Sequence, residues 1–352
     1  MHPDQLHHFI RQVVAGMGST EREAELVADQ LIGANLAGHD SHGIGMLPSY
    51  VEGWSNHRLK VNEAPTTVID RGPIVVLDGN HGFGQVMAYA AAETAIERAR
   101  AHGVAVVGLR NSYHIGRIGH WAEQIAAAGL VSIHFVNVSG HEPLVAPYGG
   151  ALARLGTNPF CVAIPGRDGR PAALLDMATS KIAFGKARVA YNRGESVPAD
   201  CLLDRDGRVT TDPTGMFGPT ATGGALIAFG EHKGSGLALM CELLGAALIG
   251  GLVMSPESAR IGAIVNNMLT IALDPQALGG GSTLIDEANA FLDYMRSSAL
   301  REGFDEILIP GEPEQRARMV RAAAIDVDAT TLGQLRDAAA AVGVSDAVFW
   351  AD

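Results

Sequence analysis

The sequence predicts a mixed α/β protein, and three observations carry that prediction. Residues 85–138 read helix, strand, helix, strand, with Gly103 and Gly129 stopping the two helices. Residues 162–175 and 200–211 read as two strand hairpins, turned at 166–170 and at Asp206-Gly207. The first forty residues carry apolar residues at helical spacing, and the tail 314–352 reads as charged and helical.

Each element has its own signal. Residues 4–16 place Leu6, Phe9, Ile10 and Val13 or Val14 on one helix face. Thr20 followed by Glu23 is a capping-box pattern, and Ala24, Val27, Ala28, Leu31 and Ala34 line the helix it opens, which ends near Gly38. A short helix is expected over 47–54, strands at 67–70 and 75–77, and a glycine loop at 79–84. The helix 85–102, the apolar strand 104–109, the polar loop 111–116, the helix 118–128 and the strand 130–138 follow. Between the hairpins lies a helix over 180–192; after them come a loop over 213–224 and an apolar helix over 234–249. A strand at 267–273, a helix at 287–300, a strand at 307–309 and tail helices at 314–323 and 331–342 complete the chain, the last capped by Thr330 or Thr331.

At 352 residues, with 47% hydrophobic and 18% charged residues, the chain is expected to form two lobes around a large core. A formal net charge of -12 argues against partners that need basic patches, so neither nucleic acid nor an anionic membrane is expected. Cys161, Cys201 and Cys241 form no CxxC pair, which fits a reducing cytoplasm. The first residues show no signal-peptide pattern. The most apolar stretch, 237–254, carries Glu242 and several glycines; it is expected in the core or at a subunit interface rather than in a membrane.

Several stretches offer chemistry. Asp40-Ser41-His42-Gly43 puts a carboxylate, a hydroxyl and an imidazole on one turn after a helix, and the imidazole can exchange a proton near neutrality. A plain helix C-cap with a solvent-facing histidine is the other reading. No G-x-G-x-x-G follows the first strand. Residues 232–236 precede a helix, where free N–H groups and Lys233 can hold a phosphate; an ordinary glycine-rich helix start fits as well. The stretch 111–120 gathers Tyr113, His114, Arg117 and His120, and Arg117 can pair a carboxylate through two parallel hydrogen bonds or lie on the surface. Asp176 ends a strand, a natural place for a ribose partner or a helix N-cap. The thirteen histidines show no H-E-x-x-H spacing, so no metal is expected.

Six segments carry a resemblance: GHDSHGIGMLPSYV (38–51), NSYHIGRIGHWAEQ (111–124), LGTNPFCVAIP (155–165), LLDMATSKIAFGK (174–186), GEHKGSGLALMCE (230–242) and ILIPGE (307–312). In this order, they resemble the malate/L-lactate dehydrogenase family that lacks the Rossmann fold. The resemblance implies an α+β protein. Its nicotinamide-binding, catalytic domain over 73–312 is built on a largely antiparallel sheet, and a helical domain is made of 1–72 and 313–352. It replaces the doubly wound sheet that 85–138 alone would suggest, and it implies a homodimer.

By the same resemblance His42 is the proton donor, Ser41 stands beside it, and His114 is a second acid or base. NAD or NADP would be held by His42, Gly116, Arg117, Ile118, Leu174, Leu175, Asp176, Met177, Ala178, His232, Lys233, Asn266, Pro310, Gly311 and Glu312. Many members have arginines where this chain has Met46 and Ser49. A monocarboxylate is therefore expected over a dicarboxylate, with Met46 lining the pocket and Arg117 as anchor. The expected activity is NAD(P)H-dependent reduction of 2-keto acids to 2-hydroxy acids. A non-catalytic nucleotide-binding protein would bind NADH without turnover, and a metal-dependent hydrolase would lose activity to a chelator.

Overall fold

The computed structural model describes residues 1–218, 221–281 and 283–345. The chain opens with helices α1 (Pro3–Gly16), α2 (Glu21–Leu36) and α3 (Leu47–Ser55), then strands β1 (Thr66–Arg71) and β2 (Ile74–Asp78). Next come α4 (Gly84–His102), β3 (Val104–Ser112), α5 (Ile118–Ala127), β4 (Val131–Ser139) and β5 (Val145–Ala146). The hairpin β6 (Phe160–Pro165) and β7 (Pro171–Met177) precedes α6 (Phe184–Arg193), β8 (Leu202–Asp204), β9 (Val209–Thr210) and β10 (Gly224–Ile227). The last third holds α7 (His232–Gly245), α8 (Pro256–Ala259), β11 (Val265–Leu273), α9 (Leu284–Arg296), α10 (Glu312–Arg321) and α11 (Ala329–Ala341).

Seven strands form one sheet in the order β1-β2-β3-β11-β4-β6-β7. Only β2 and β3 pair parallel; every other neighbouring pair in it is antiparallel. This corrects the doubly wound sheet suggested by 85–138. The four elements there are as expected, but β11 enters between β3 and β4 and pairs antiparallel with both. α4 and α5 pack on this sheet through Ala88, Ala91, Ala95, Trp121 and Ile125, whose small and flat side chains let helix and sheet approach closely. A second sheet, β5-β10-β8-β9, has its own core with Leu202, Phe217 and Leu226, a layer the sequence did not announce.

A third core joins the two ends of the chain. Leu6, Phe9, Val27 and Leu31 of the first helices meet Leu47 and Tyr50 of α3 and Ile325, Leu335 and Ala339 of the last segment. β1 pairs with β2, so a boundary at 72 falls inside that hairpin. Positions 346–352 of the expected terminal domain, and 219 and 220 of the loop 213–224, lie outside the described residues.

Several boundaries differ from expectation for local reasons. Thr20 caps the Glu23 N–H as foreseen, but the Glu23 carboxylate turns to the Asn62 N–H (2.9 Å) instead of closing the box. α7 ends at Gly245 and gives way to a 3-10 turn over Ala247–Ile249. One face of α7 is buried, with Ala238, Cys241 and Glu242, while Leu239, Met240 and Leu243 are exposed on the single chain. Residues 307–309 form no strand; the Pro310 carbonyl accepts a hydrogen bond from Leu174 N–H (2.9 Å). The cap of α11 is Asp328, not a threonine. No helix among the described residues is long and apolar enough to cross a membrane.

Candidate active site

Asp40–His42 forms a 3-10 turn just after α2, and it is pinned from two sides. Asn35 donates to Asp40 Oδ1 (2.7 Å) and accepts from Ile44 N–H (2.7 Å). Arg321 of α10 donates to both Asp40 oxygens (2.6 and 3.0 Å). Asp40 therefore anchors the turn; the Ser41 side of the turn is exposed and His42 half-buried. This is more than a solvent-facing C-cap.

The His42 ring meets His114. His42 Nδ1 lies 3.2 Å from His114 Nε2, and the rings are nearly coplanar, at 8°. His114 sits on the loop between β3 and α5, which two glycines let in. A Cβ at Gly84 would overlap the His114 carbonyl, and one at Gly116 (φ +73°) would overlap the Gln30 side chain. Asn266 then holds the loop by accepting from Ile115 N–H (3.0 Å). Burial, then the neighbouring His39 and Arg117 charges, push His42 down to about 4. Burial, then His42, holds His114 well below the usual histidine range. Both imidazoles of the free protein are thus neutral at pH 7.

Arg117 is fully buried, which excludes the surface reading. It donates to Glu123 (2.6 Å), which Arg318 of α10 shares (2.8 Å), and it lies 3.8 Å from Asp176. Its Nε and Nη1 have no hydrogen-bond partner among the described residues. Two guanidinium N–H faces left bare in a buried site fit an incoming carboxylate, because leaving them unpaired costs more than pairing them gains in water. Asp176 turns inward and accepts from Gly119 N–H (2.7 Å); its carboxyl is raised by burial against the pull of Arg117. It caps no helix, since α6 opens at Ala183.

These segments converge. Leu174 bonds to Pro310, Asp176 to the Arg117 loop, His39 of the His42 turn to Glu314 (3.1 Å), and a Cβ on Gly185 would meet Ser41. Leu175, Met177 and Ala178 stand half-buried at the edge strand β7. The Glu312 carboxylate is taken by Ile309 N–H and Arg296 (2.7 Å each). Asn266 is likewise committed inward, donating to the Asn137 carbonyl (3.0 Å). His232 and Lys233 form the first turn of α7 rather than preceding it. The N–H groups of Lys233, Gly234 and Ser235 bond back to Gly230, Phe229 and Glu231, so the free-amide phosphate cradle is corrected to the exposed side chains of His232 and Lys233 on a helix start.

The family model for malate/L-lactate dehydrogenase matches residues 1–336. Hydroxycarboxylate dehydrogenase B of Escherichia coli (strain K12) is 49% identical over 97% of this chain and 94% of its own length. The chain belongs to the malate/L-lactate dehydrogenase family. An L-lactate dehydrogenase of Cupriavidus necator is 40% identical, covering 88% of each chain. The sulfolactate dehydrogenase of Methanocaldococcus jannaschii superposes with a TM-score of 0.86 at 34% identity, covering 98% of each chain.

In this member of the malate/L-lactate dehydrogenase family, sequence reading missed the residues behind the histidines. Tyr50 Oη lies 2.7 Å from His114 Nδ1 and Gln85 Nε2 2.8 Å from Tyr50 Oη. Tyr50 lies on the helix expected over 47–54 and Gln85 opens the helix 85–102, and neither carries a signal of its own in the sequence. Glu123, the shared partner of two arginines, lies in the helix 118–128 and is not singled out there either. Met46 packs partly buried against the terminal core, and Ser49 lines a cleft of about 120 Å³ with Glu52, Arg58, Tyr113 and His141. Among the described residues His7, Glu25 and Asp29 bring possible metal ligands within 4.8 Å of one another, but Arg11 already pairs with Glu25 (2.9 Å).

Proposed function

We propose that this chain is a nicotinamide-dependent 2-hydroxyacid dehydrogenase acting as a reductase of 2-keto acids. The observation that carries this reading is the buried Arg117, with two bare N–H faces, on the loop that brings His114 to His42. A 2-keto acid needs those two functions together: an anchor for its carboxylate and a proton source for its carbonyl oxygen.

NAD or NADP fits the residues that stand there. Leu175, Met177 and Ala178 offer half-buried apolar surface to flat rings, and exposed His232 and Lys233 offer hydrogen-bond donors, Lys233 with a charge, to a pyrophosphate. Leu174, Gly116, Ile118, Pro310, Gly311 and Glu312 complete that wall through backbone and packing, with Asn266 supporting it from below. When bound, the reduced cofactor supplies a hydride to the keto carbon. Arg117 holds the substrate carboxylate, and Ser41 orients substrate or ring. His42 passes a proton to the developing alkoxide and takes it back in the oxidation direction. The test is a panel of 2-keto acids assayed at 340 nm with each cofactor; NADH binding without turnover of any of them would overturn the reading.

Substrate charge follows from the same anchor. With Met46 and Ser49 in place of arginines, and Arg58 sharing its cleft with Glu52, a second substrate carboxylate lacks the two arginines that many members place there. That leaves it poorly paired at a cost of roughly 1–3 kcal/mol, or several-fold to over a hundredfold in specificity. Pyruvate-like and arylpyruvate substrates are expected to exceed oxaloacetate in kcat/KM, and Met46→Arg to shift the ratio towards oxaloacetate. A wild-type preference for oxaloacetate would show the single-anchor argument to be wrong.

The assembly we infer is a homodimer. α9 has no buried residue, Phe291 and Tyr294 are 61% and 74% exposed on it, and Phe304 and the outer face of α7 add further exposed apolar side chains. Such area on one chain marks an interaction surface. Light scattering at micromolar concentration is expected to give twice the 36.8 kDa chain mass, and a stable monomer would remove the proposal. We divide each subunit into a terminal helical domain, from the first residues through α3 together with 313–352, and a central domain reaching 312. Three free, buried thiols fit the cytoplasm as its location.

A further inference from the structure

Behind His42 runs a hydrogen-bonded file of side chains that the reaction as described does not use. His42 Nδ1 faces His114 Nε2, His114 Nδ1 faces Tyr50 Oη, Tyr50 Oη faces the Gln85 amide, and Gln85 faces Gln30 at 3.3 Å. Tyr50, Gln85 and Gln30 are completely buried. Each link holds one proton between two atoms, so the donor at one end fixes the donor at every other. As drawn, Gln85 Nε2 donates to Tyr50, Tyr50 to His114 and His114 to His42, which leaves His42 Nδ1 an acceptor. A charged His42 requires the reverse. It carries N–H on both nitrogens, so His114 must accept at Nε2 and donate from Nδ1 to Tyr50, and Tyr50 must donate to an oxygen of Gln85.

The two amides permit that reversal. Gln85 Oε1 and Gln30 Nε2 have no hydrogen-bond partner among the described residues. The amides are therefore held at these atoms only by each other and by Tyr50. A joint half-turn puts Gln85 Oε1 against Tyr50 and Gln30 Nε2 against Gln85 Oε1, with no bond lost to a third group. Oxygen and nitrogen occupy nearly the same positions in either state.

We propose that Tyr50, with Gln85 and Gln30 behind it, is a positioning residue that sets the tautomer of His114 and thereby lets His42 carry its proton. The consequence for catalysis rests on the reductase reading above; the tautomer itself does not. The other charged or titratable groups acting on the pair are His39 on the His42 turn and Arg117 on the His114 loop, with Tyr113 acting on Tyr50.

Two variants push the file in opposite directions. Tyr50→Phe removes the acceptor for His114 Nδ1–H, and Gln85→Glu strengthens the acceptor for Tyr50 O–H. With ¹⁵N-histidine-labelled free protein, the ring-nitrogen shifts of His114 are expected to stay with the Nε2–H tautomer in Tyr50→Phe and to move towards Nδ1–H in Gln85→Glu. With pyruvate and reduced cofactor, Tyr50→Phe is expected to lose about 10–100-fold in kcat, as for a misplaced catalytic group, with the KM for cofactor unchanged. The high-pH limb of its kcat/KM profile moves to lower pH and that of Gln85→Glu to higher pH. A filler role for Tyr50 lowers melting temperature but moves neither tautomer nor limb. Ring-nitrogen shifts that stay put in both variants, or move the same way, overturn the proposal. If wild type turns over no keto acid, the reductase reading fails while the shifts still decide the tautomer.

Discussion

His42→Ala is expected to lower the rate of keto-acid reduction by about 10²–10⁴, the span for removing a general acid, with cofactor affinity little changed. The size follows from the site. Among the described residues, the imidazole hydrogen-bonded to this one is His114, whose Nε2 faces the ring that would be lost. Stopped-flow reduction of pyruvate, with cofactor binding followed separately, measures both quantities. Near-wild-type turnover would return His42 to a structural role and move the proton to His114.

The pH dependence has a fixed sign. Free His42 is held down at about 4, so it is neutral at pH 7 and suited to accept a proton from the alcohol. Reduction needs the charged form. kcat/KM for reduction is therefore expected to rise as pH falls, and kcat/KM for oxidation to decline only as pH approaches about 4. A bound carboxylate on Arg117 offsets one of the charges that depress His42, so keto-acid binding draws a proton towards the site.

Arg117→Lys is the second large effect. A lysine keeps a positive charge near Glu123 but cannot hold Glu123 through one nitrogen and offer the unpartnered Nε and Nη1 N–H groups from the same rigid fork. Losing a charge-assisted hydrogen bond in a buried site costs about 1.5–3 kcal/mol, or roughly 10–150-fold. The loss is expected mainly in the KM for 2-keto acids, with the melting temperature separating binding from folding. An unchanged KM would show that backbone N–H groups hold the carboxylate and that Arg117 serves only the Glu123–Arg318 cluster.

What the sequence made legible was local. The period of apolar residues places α1, α2 and α4 because each buries one stripe, and the β6–β7 and β8–β9 hairpins show in their turn residues. The helix-strand run over 85–138 was also read correctly as elements, yet its sheet was not. Nothing in β3 or β4 records that a strand more than a hundred residues later lies between them. Site residues on turns, His42 and Arg117, stood out because polar groups flanked by glycines have few purely structural uses. Tyr50 and Gln85 did not, because inside an apolar helix face their role depends on what the fold brings opposite. The inward turns of Asp176 and Asn266 were hidden for the same reason: a side chain's direction at a strand end is decided by its neighbours in space.

β11 gives the chain an order of assembly. Without it the main sheet is two separate three-stranded pieces, one from residues 66–112 and one from 131–177, each closed by short connections. A polypeptide emerging from its N-terminus makes both pieces early, and each waits with one open edge until residue 273 has arrived. The same strand brings Asn266 to the Ile115 N–H and Asn267 to the Asn111 N–H (2.8 Å). Closing the sheet and fastening the His114 loop are thus one event. A nascent or truncated chain that stops short of β11 holds neither a joined sheet nor a fixed second histidine, so competence for chemistry arrives only with the completed fold.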